Sequence, residues 1–145
     1  MADKLDLTSR DIPTAIDDAA VRSRQIAVAY VDADGAPSLS FRGSVHVHGP
    51  DQVAIWARKR DSGLAVAIEK EPRVALLYFG GSDPGPRFVS IKGRAHTDEA
   101  QNDKVYDEMI EGERGQDPER KGIAVIVDVD HVFGFGADGP FEMAR

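Results

Sequence analysis

A basic cluster followed directly by a helix start has the clearest chemical meaning in this sequence. An apolar run ends in Trp56 and Ala57 and leads into Arg58-Lys59-Arg60, with Ser62 and Gly63 just beyond. A helix N-terminus offers free backbone N–H groups, and together with a serine hydroxyl and fixed positive charge these favour a phosphate. The sequence therefore predicts a phosphate-binding loop here, and the alternative is a solvent-exposed basic turn.

Another cation, Arg42, lies upstream between Ser40, Gly43 and Ser44. Polar and apolar residues alternate around it, which predicts one continuous strand over residues 38–48. A charged residue in mid-strand needs a partner if it faces inward, and the glycine beside it would let a flat ligand approach the backbone. We therefore expect a ring system near Arg42, with an exposed strand face as the alternative. The apolar residues expected to face the core are Leu39, Phe41, Val45 and Val47.

The elements that must position these residues are mostly strands. The periodicity predicts six or seven strands, two or three short helices and hairpin turns, with too few long helices for parallel crossovers. We therefore expect one domain over residues 1–145, built as a mostly antiparallel, closed, barrel-like sheet. The predicted strands are 25–31, 38–48, 53–57, 74–79, 87–96, 123–129 and 131–135, and the predicted helices are 11–22, 62–72 and 98–109.

Composition excludes several classes of protein. The net charge is −7, which argues against non-specific binding to nucleic acid or to an anionic membrane and leaves a local basic site open. The chain has no cysteine, so it has no thiol nucleophile and no thiolate metal site. It also has no apolar run long enough to cross a bilayer, and we expect a cytoplasmic protein.

His46 and His48 share one strand face, but no third ligand is evident, so we expect a surface pair and no metal site.

Three segments carry a resemblance to a known family. The runs SLSFRGSVHV, IWARKRDSGLAVAIEKEPRVALLYF and RFVSIKGRAHT resemble the pyridoxamine 5'-phosphate oxidase-like superfamily of FMN-binding split barrels, over roughly residues 25–129. The resemblance implies an antiparallel split β-barrel and a homodimer with two flavin sites at the subunit interface. It also implies FMN, or alternatively a deazaflavin coenzyme of the 8-hydroxy-5-deazaflavin type.

The resemblance also implies which residues contact the cofactor. The phosphate would bind Arg42, Arg58, Lys59 and Ser62, with Gly63 beside them. Ser40, Gly43 and Ser44 would lie along the ring or the ribityl chain, and Trp56 and Ala57 would offer backbone and packing contacts. Many relatives have a Ser-x-Lys segment in this loop, whereas this chain has Ser62-Gly63-Leu64 with the basic residues ahead of the serine.

No motif of a protein nucleophile or of an acid–base pair is present, so any catalysis would come from the cofactor. The first hypothesis is a flavin-dependent oxidoreductase that passes hydride or electrons to a small-molecule substrate. The second is a non-catalytic flavin-binding protein for storage or sensing, and the third is a structural barrel with no ligand.

Overall fold

The computed structural model describes residues 2–81 and 85–145. The strands are β1 Asp3–Lys4, β2 Ile26–Val31, β3 Pro37–Arg42, β4 His46–Gly49, β5 Gln52–Ala57, β6 Arg73–Phe79, β7 Phe88–Thr97, β8 Ile123–Gly136 and β9 Gly139–Ala144. The helices are α1 Ile12–Asp17, α2 Gly63–Lys70, α3 Asn102–Glu108 and α4 Glu111–Arg114, with short 3-10 turns at Ala19–Arg22 and Glu99–Gln101.

The long strand β8 organises the sheet. Its first half, from Ile123 to Asp128, pairs with β5, and its second half, from His131 to Gly136, pairs with β9. Its other edge pairs with β7 along ten positions. The hydrogen-bonded order is β1-β9-β8-β7-β6-β2-β3, while β4 and β5 branch from β8. The sheet therefore divides at β8 into two lobes, which is the arrangement of a split barrel.

A register shift between β7 and β8 depends on Gly93. A Cβ atom at this position would collide with the backbone carbonyl of Asp128. The register changes between Lys92 and Gly93, so the two backbones approach closely where the strands bend. This explains the glycine in the segment Lys92-Gly93-Arg94 as a requirement of the fold.

Two apolar clusters hold the structure together. The larger lies inside the barrel and includes Val28, Ile55, Ile91 and Val127, each at most 1 % exposed. The smaller lies where α3 packs against β5 and β8, on the other side of the sheet from the larger one. Its members are Ala54, Trp56, Val105, Tyr106, Met109, Ala124 and Ile126. Because β5 contributes to both clusters, the strand that enters the basic loop is buried on both faces.

The mostly β, split-barrel prediction is confirmed, with differences in detail. In residues 2–81 and 85–145 the sheet has nine strands instead of six or seven, because the tail forms β9 and residues 3–4 form β1. The two segments predicted as separate strands after residue 123 form the single strand β8. The pairing is mixed and not closed, since β1 runs parallel to β9 and no pairing joins β3 to β1 in the described residues.

The strand predicted over residues 38–48 is divided in two. β3 ends at Arg42, a turn follows at Gly43 and Ser44, and β4 begins at His46. The prediction that Leu39 and Phe41 face the core is wrong for the single chain, since they are 73 % and 70 % exposed. Alternation gives the period of a strand but does not identify which face is buried, and the turn at Gly43 changes the direction of the chain.

No helix in residues 2–81 and 85–145 is long and apolar enough to cross a membrane.

Candidate cofactor-binding site

Two adjoining cavities lie between the end of β3, the loop after β5 and the segment around α4. Their volumes are about 420 and 430 Å³, and both are lined by Arg42, Arg58 and Gln116. Each lies within the range of about 300–1,000 Å³ that is typical of small-molecule sites. The first is also lined by Gln25, Ser40, Phe41, Gly43, Ser44, Trp56, Met109 and Glu113. The second is also lined by Ala57, Lys59, Ser62, Gly63, Leu64, Asp117 and Lys121.

The ten residues that the resemblance implied for the cofactor all line one or both of these cavities. Those expected near the ring line the first, and those expected near the phosphate line the second. Whether they bind a cofactor stays a prediction. The two cavities meet at Arg42 and Arg58, so a ligand with a phosphate at one end and a ring at the other could occupy both.

Arg42 is the most unusual of these side chains. Its Nε is buried and has no hydrogen-bond partner among the described residues. The guanidinium carbon lies 6.0 Å from the centre of the Tyr30 ring. A buried donor without an acceptor costs about 1–3 kcal/mol. The Arg42 side chain also lines both cavities, so its positive charge would favour an anionic ligand there.

The three residues of the basic cluster differ in how strongly each is bonded to the rest of the protein. Arg60 is held outside the cavities, since its guanidinium donates to the carbonyls of Lys121 and Gly122 and pairs with Glu99 at 3.0 Å. Arg58 makes a contact of 3.4 Å from Nη1 to Oε1 of Gln116. Lys59 has no ion pair with another described residue and is exposed. Arg58 and Lys59 are therefore available to a ligand, whereas Arg60 is committed to the protein.

The start of α2 is open towards the second cavity. Ser62 occupies the N-cap position in an extended conformation, but its hydroxyl makes no hydrogen bond to the helix. Gly63 follows with a φ of +58°, a conformation that favours glycine. The first N–H groups of a helix lack internal acceptors and carry the positive end of its dipole. The uncapped hydroxyl and these N–H groups are suited to a phosphate.

Trp56 is held in place by two polar contacts. Its backbone N–H donates to the Ser44 hydroxyl at 3.0 Å, and its indole N–H donates to Asp117 at 2.8 Å. The ring packs edge-on against Tyr106, with 5.3 Å between the ring centres. Only 4 % of Trp56 is exposed, so it forms part of the cavity wall and is not a free stacking platform.

Asp117 organises the loop opposite the basic cluster. Burial alone would raise the pKa of its carboxyl, but hydrogen bonds from the Lys121 N–H, the Trp56 indole and the Gly122 N–H hold that pKa below its ordinary value. The carboxylate is therefore ionised and fully engaged with the protein at neutral pH. Sequence reasoning missed it because residues 112–120 resemble an exposed loop.

Glu113 is another wall residue that the sequence did not indicate. Its carboxylate lies so close to Gly43 that a Cβ atom on Gly43 would collide with it. Gln25, Met109, Gln116 and Lys121 also line the cavities without a signal in the sequence. They come from segments distant along the chain, and only the folded structure brings them to one place.

Solved structures with this architecture exist, although no family model and no curated protein matches the sequence. HupZ of Group A Streptococcus is 16% identical with a TM-score of 0.64, and the match covers 86% of this chain and 94% of that one. A protein of the pyridoxinephosphate oxidase family from Clostridium acetobutylicum, related to general stress protein 26, is 10% identical with a TM-score of 0.62, covering 86% and 88%. An F420 reductase is 16% identical with a TM-score of 0.57, covering 82% and 93%. The chain therefore has the split-barrel fold of the pyridoxamine 5'-phosphate oxidase-like proteins.

Proposed function

We propose that this chain is a flavin-dependent oxidoreductase of the pyridoxamine 5'-phosphate oxidase-like superfamily, which binds FMN or a deazaflavin in the two adjoining cavities. The observation that carries the proposal is Arg42, a cation that lines both cavities and whose buried Nε has no hydrogen-bond partner in the described residues. The structure otherwise satisfies its buried side-chain polar atoms in the described residues, so this exception points to a missing ligand.

The phosphate would occupy the second cavity. Arg42, Arg58 and Lys59 supply positive charge there, and Ser62 with the first turn of α2 supplies neutral donors. Charge-assisted hydrogen bonds to a phosphate contribute about 1.5–3 kcal/mol each. These residues would thus provide most of the binding energy and fix the position of the cofactor.

The ring would occupy the first cavity, beside Gly43 and Ser44. Gly43 has no side chain to hold the ring away from the backbone, and the buried Trp56 supports the wall behind it. When bound, the flavin would supply the hydride or electron transfer. The residues of this chain would orient the ring, exclude water from one of its faces and leave room for a small substrate.

A second copy of the chain would complete the site. The outer face of β6, β2 and β3 carries the exposed side chains Leu39, Phe41, Leu77 and Phe79. Paired positions of neighbouring strands place their side chains on the same face of the sheet. One row of such positions crosses five strands, and its members, from β3 to β8, are Phe41, Ala27, Leu77, Ser90 and Phe133. Apart from Ser90 the row is apolar, and with Leu39 and Phe79 beside it this face exposes more large apolar side chains than monomeric proteins usually do.

The position of this surface relative to the cavity supports a homodimer. Phe41 belongs to the apolar row and also lines the first cavity. A partner that covers the row would therefore also cover the open side of the proposed ring site. This would shield the ring, and it explains why Phe41 is 70 % exposed in the single chain.

Two cofactors share the chemistry that these cavities recognise. FMN and the deazaflavin coenzyme both have a tricyclic ring and a phosphate on a ribityl chain. The structural similarity to an F420 reductase supports testing the deazaflavin alongside FMN. A non-catalytic flavin-binding protein is the alternative function, and it would use the same residues.

Titration of the purified protein with each cofactor is the test. Quenching of flavin or deazaflavin fluorescence should give a saturable curve with one site per chain. Turnover assays with small electron acceptors would then separate the enzyme from the binding protein. Failure of both cofactors to bind to a folded protein would overturn the proposal.

A further inference from the structure

Three side chains that can bind a metal converge next to the cofactor cavities but outside them. Nε2 of His46 lies 3.2 Å from Oε1 of Glu108, and Nδ1 of His48 lies 2.7 Å from the same oxygen. All three ligand atoms lie within 4.8 Å of one another. The structure thus supplies the third ligand that the sequence did not reveal, because Glu108 lies about 60 residues downstream, on α3.

The outer nitrogen of each ring already has an acceptor. Nδ1 of His46 lies 2.8 Å from the backbone carbonyl of Ser44, and Nε2 of His48 lies 3.2 Å from Oε1 of Gln101. In a neutral imidazole only one nitrogen carries a proton. If those outer nitrogens donate, Nε2 of His46 and Nδ1 of His48 each direct a lone pair at the same carboxylate oxygen.

We propose that His46, His48 and Glu108 form a binding site for a divalent transition-metal ion of the zinc type. A cation at the point of convergence accepts all three lone pairs and removes the repulsion between them. Metal-binding histidines almost always donate their other N–H to a carbonyl or carboxylate, which fixes the tautomer. Ser44 and Gln101 already provide this arrangement.

The geometry requires only a small rearrangement. Tetrahedral zinc with bonds of about 2.0–2.2 Å places neighbouring ligand atoms about 3.3–3.6 Å apart. The observed separation of 3.2 Å lies close to the lower end of this range, and the 2.7 Å contact would lengthen by about 0.6 Å or more as the ion enters. Both histidine side chains are 4 % exposed and the Glu108 side chain is 30 % exposed, so the ion would be reached from the Glu108 side.

Charge near the site is also suitable for a cation. Asp17 accepts the backbone N–H of Val47, the residue between the two histidines, at 2.8 Å. Two histidines and one carboxylate leave a fourth position for water or another ligand, as in zinc sites with open coordination.

The site would fix α3 next to the proposed flavin cavity. Glu108 ends α3, and the next residue, Met109, lines the first cavity. His46 lies on β4, and the carbonyl that holds its ring belongs to Ser44 in the preceding turn, which lines the same cavity. The metal would therefore hold two parts of the cavity wall together, but its binding does not depend on whether a flavin binds.

The test uses the full chain without a histidine tag, treated with a chelator and then titrated with Zn²⁺ against a chromogenic competitor. We expect one ion per chain with a dissociation constant in the micromolar range or below. Substitution of Co²⁺ should give visible absorption bands of a four- or five-coordinate ion. Glu108→Gln and His48→Gln should each weaken Zn²⁺ binding at least tenfold and abolish those bands.

Glu142→Gln provides the matched control. It removes the carboxylate of another histidine–glutamate pair, in which Nε2 of His131 lies 2.9 Å from Oε1 of Glu142 without a second histidine. This variant should bind Zn²⁺ like the wild type. Far-UV circular dichroism checks that Glu108→Gln is folded, and His48→Gln replaces it if it is not. A wild-type protein that binds no Zn²⁺, or a folded Glu108→Gln that binds it equally well, would overturn the proposal.

Discussion

The indole N–H of Trp56 donates to Oδ2 of Asp117 at 2.8 Å, across 61 residues of sequence. This bond joins the strand that leads into the basic cluster to the loop on the opposite side of the second cavity. The same carboxylate accepts the backbone N–H groups of Lys121 and Gly122 at 3.0 and 2.8 Å. One buried side chain thus sets the distance between two walls of the candidate site.

Asp117→Asn should destabilise the protein by about 1–3 kcal/mol. An amide offers one acceptor oxygen in place of two, so at least one of the three donors would face an NH₂ group. Urea unfolding followed by far-UV circular dichroism measures the decrease in the free energy of unfolding. Asp138→Asn is the matched control, because Asp138 lies in an exposed turn, and it should change the unfolding free energy by less than about 0.5 kcal/mol.

The effect of Asp117→Asn should depend on pH. The pKa of Asp117 is lowered in the folded protein, so its stabilising contribution is complete above the unfolded-state pKa of about 3.9. That contribution is lost as the pH falls through the folded-state value. The difference between wild type and variant should therefore be constant near neutral pH and shrink below about pH 4. A difference that grows on acidification would contradict this role of Asp117.

Replacing Arg58 and Lys59 together with alanine should weaken cofactor binding by several kcal/mol, because each would lose a charge-assisted bond worth about 1.5–3 kcal/mol. Fluorescence titration with FMN or the deazaflavin measures this change. Lys70→Ala combined with Lys104→Ala removes the same charge from exposed residues that do not line either cavity, so it should leave the affinity within about threefold. Equal losses in both double variants would show that only the overall charge matters.

The order of the elements could be predicted because their local patterns are strong. Branched residues in β2 and β6 and the capping signals before α2 identify those elements from neighbouring residues alone. The turn at Gly43 and the exposure of Leu39 could not be predicted in the same way. A chain that covers its apolar face with a second copy has the same alternating pattern as a chain that buries that face internally.

The candidate site likewise contains some residues that the local sequence predicts and others that only the folded structure reveals. The residues near the basic cluster are close in sequence, so the motif reveals them together. Glu108 reaches its position through the packing of α3 against β5 and β8, while Glu113 and Asp117 follow α3 and are brought to Gly43 and Trp56 only in the folded chain. Nothing in their local sequence marks them, because an acidic residue in a charged helix or loop usually faces solvent.

Leu39→Glu should convert a dimer into monomers. The side chain is 73 % exposed on the outer face of β3 and does not line either cavity, so the change tests the interface without altering the site. A buried, unpaired carboxylate in an apolar interface is strongly unfavourable. Light scattering coupled to size-exclusion chromatography gives the mass of each variant.

Val66→Glu is the control for this experiment, because Val66 is an exposed apolar residue on α2, away from that face. It should leave the mass unchanged. A wild type that is monomeric at tens of micromolar would contradict the proposed dimer, and so would a Leu39→Glu variant that remains dimeric.

Gly43→Ala tests whether the ring lies against the backbone at this position. Gly43 does not have a positive φ, so the backbone accepts alanine, and the new Cβ collides only with the end of the flexible Glu113 side chain. The unfolding free energy should change by less than about 1 kcal/mol. A methyl group inserted between a ring and the backbone should cost about 1–3 kcal/mol, as overpacking does, and weaken cofactor affinity roughly tenfold or more.

Two comparisons separate the effect of the methyl group from other causes. Gly112→Ala adds a Cβ that meets no atom within 4 Å and should leave cofactor affinity unchanged. Glu113→Ala removes the carboxylate that the new methyl would displace. If Glu113→Ala alone reproduces the loss, the carboxylate orders the cavity and the ring does not contact residue 43. If only Gly43→Ala weakens binding, close approach to the backbone is what the site requires.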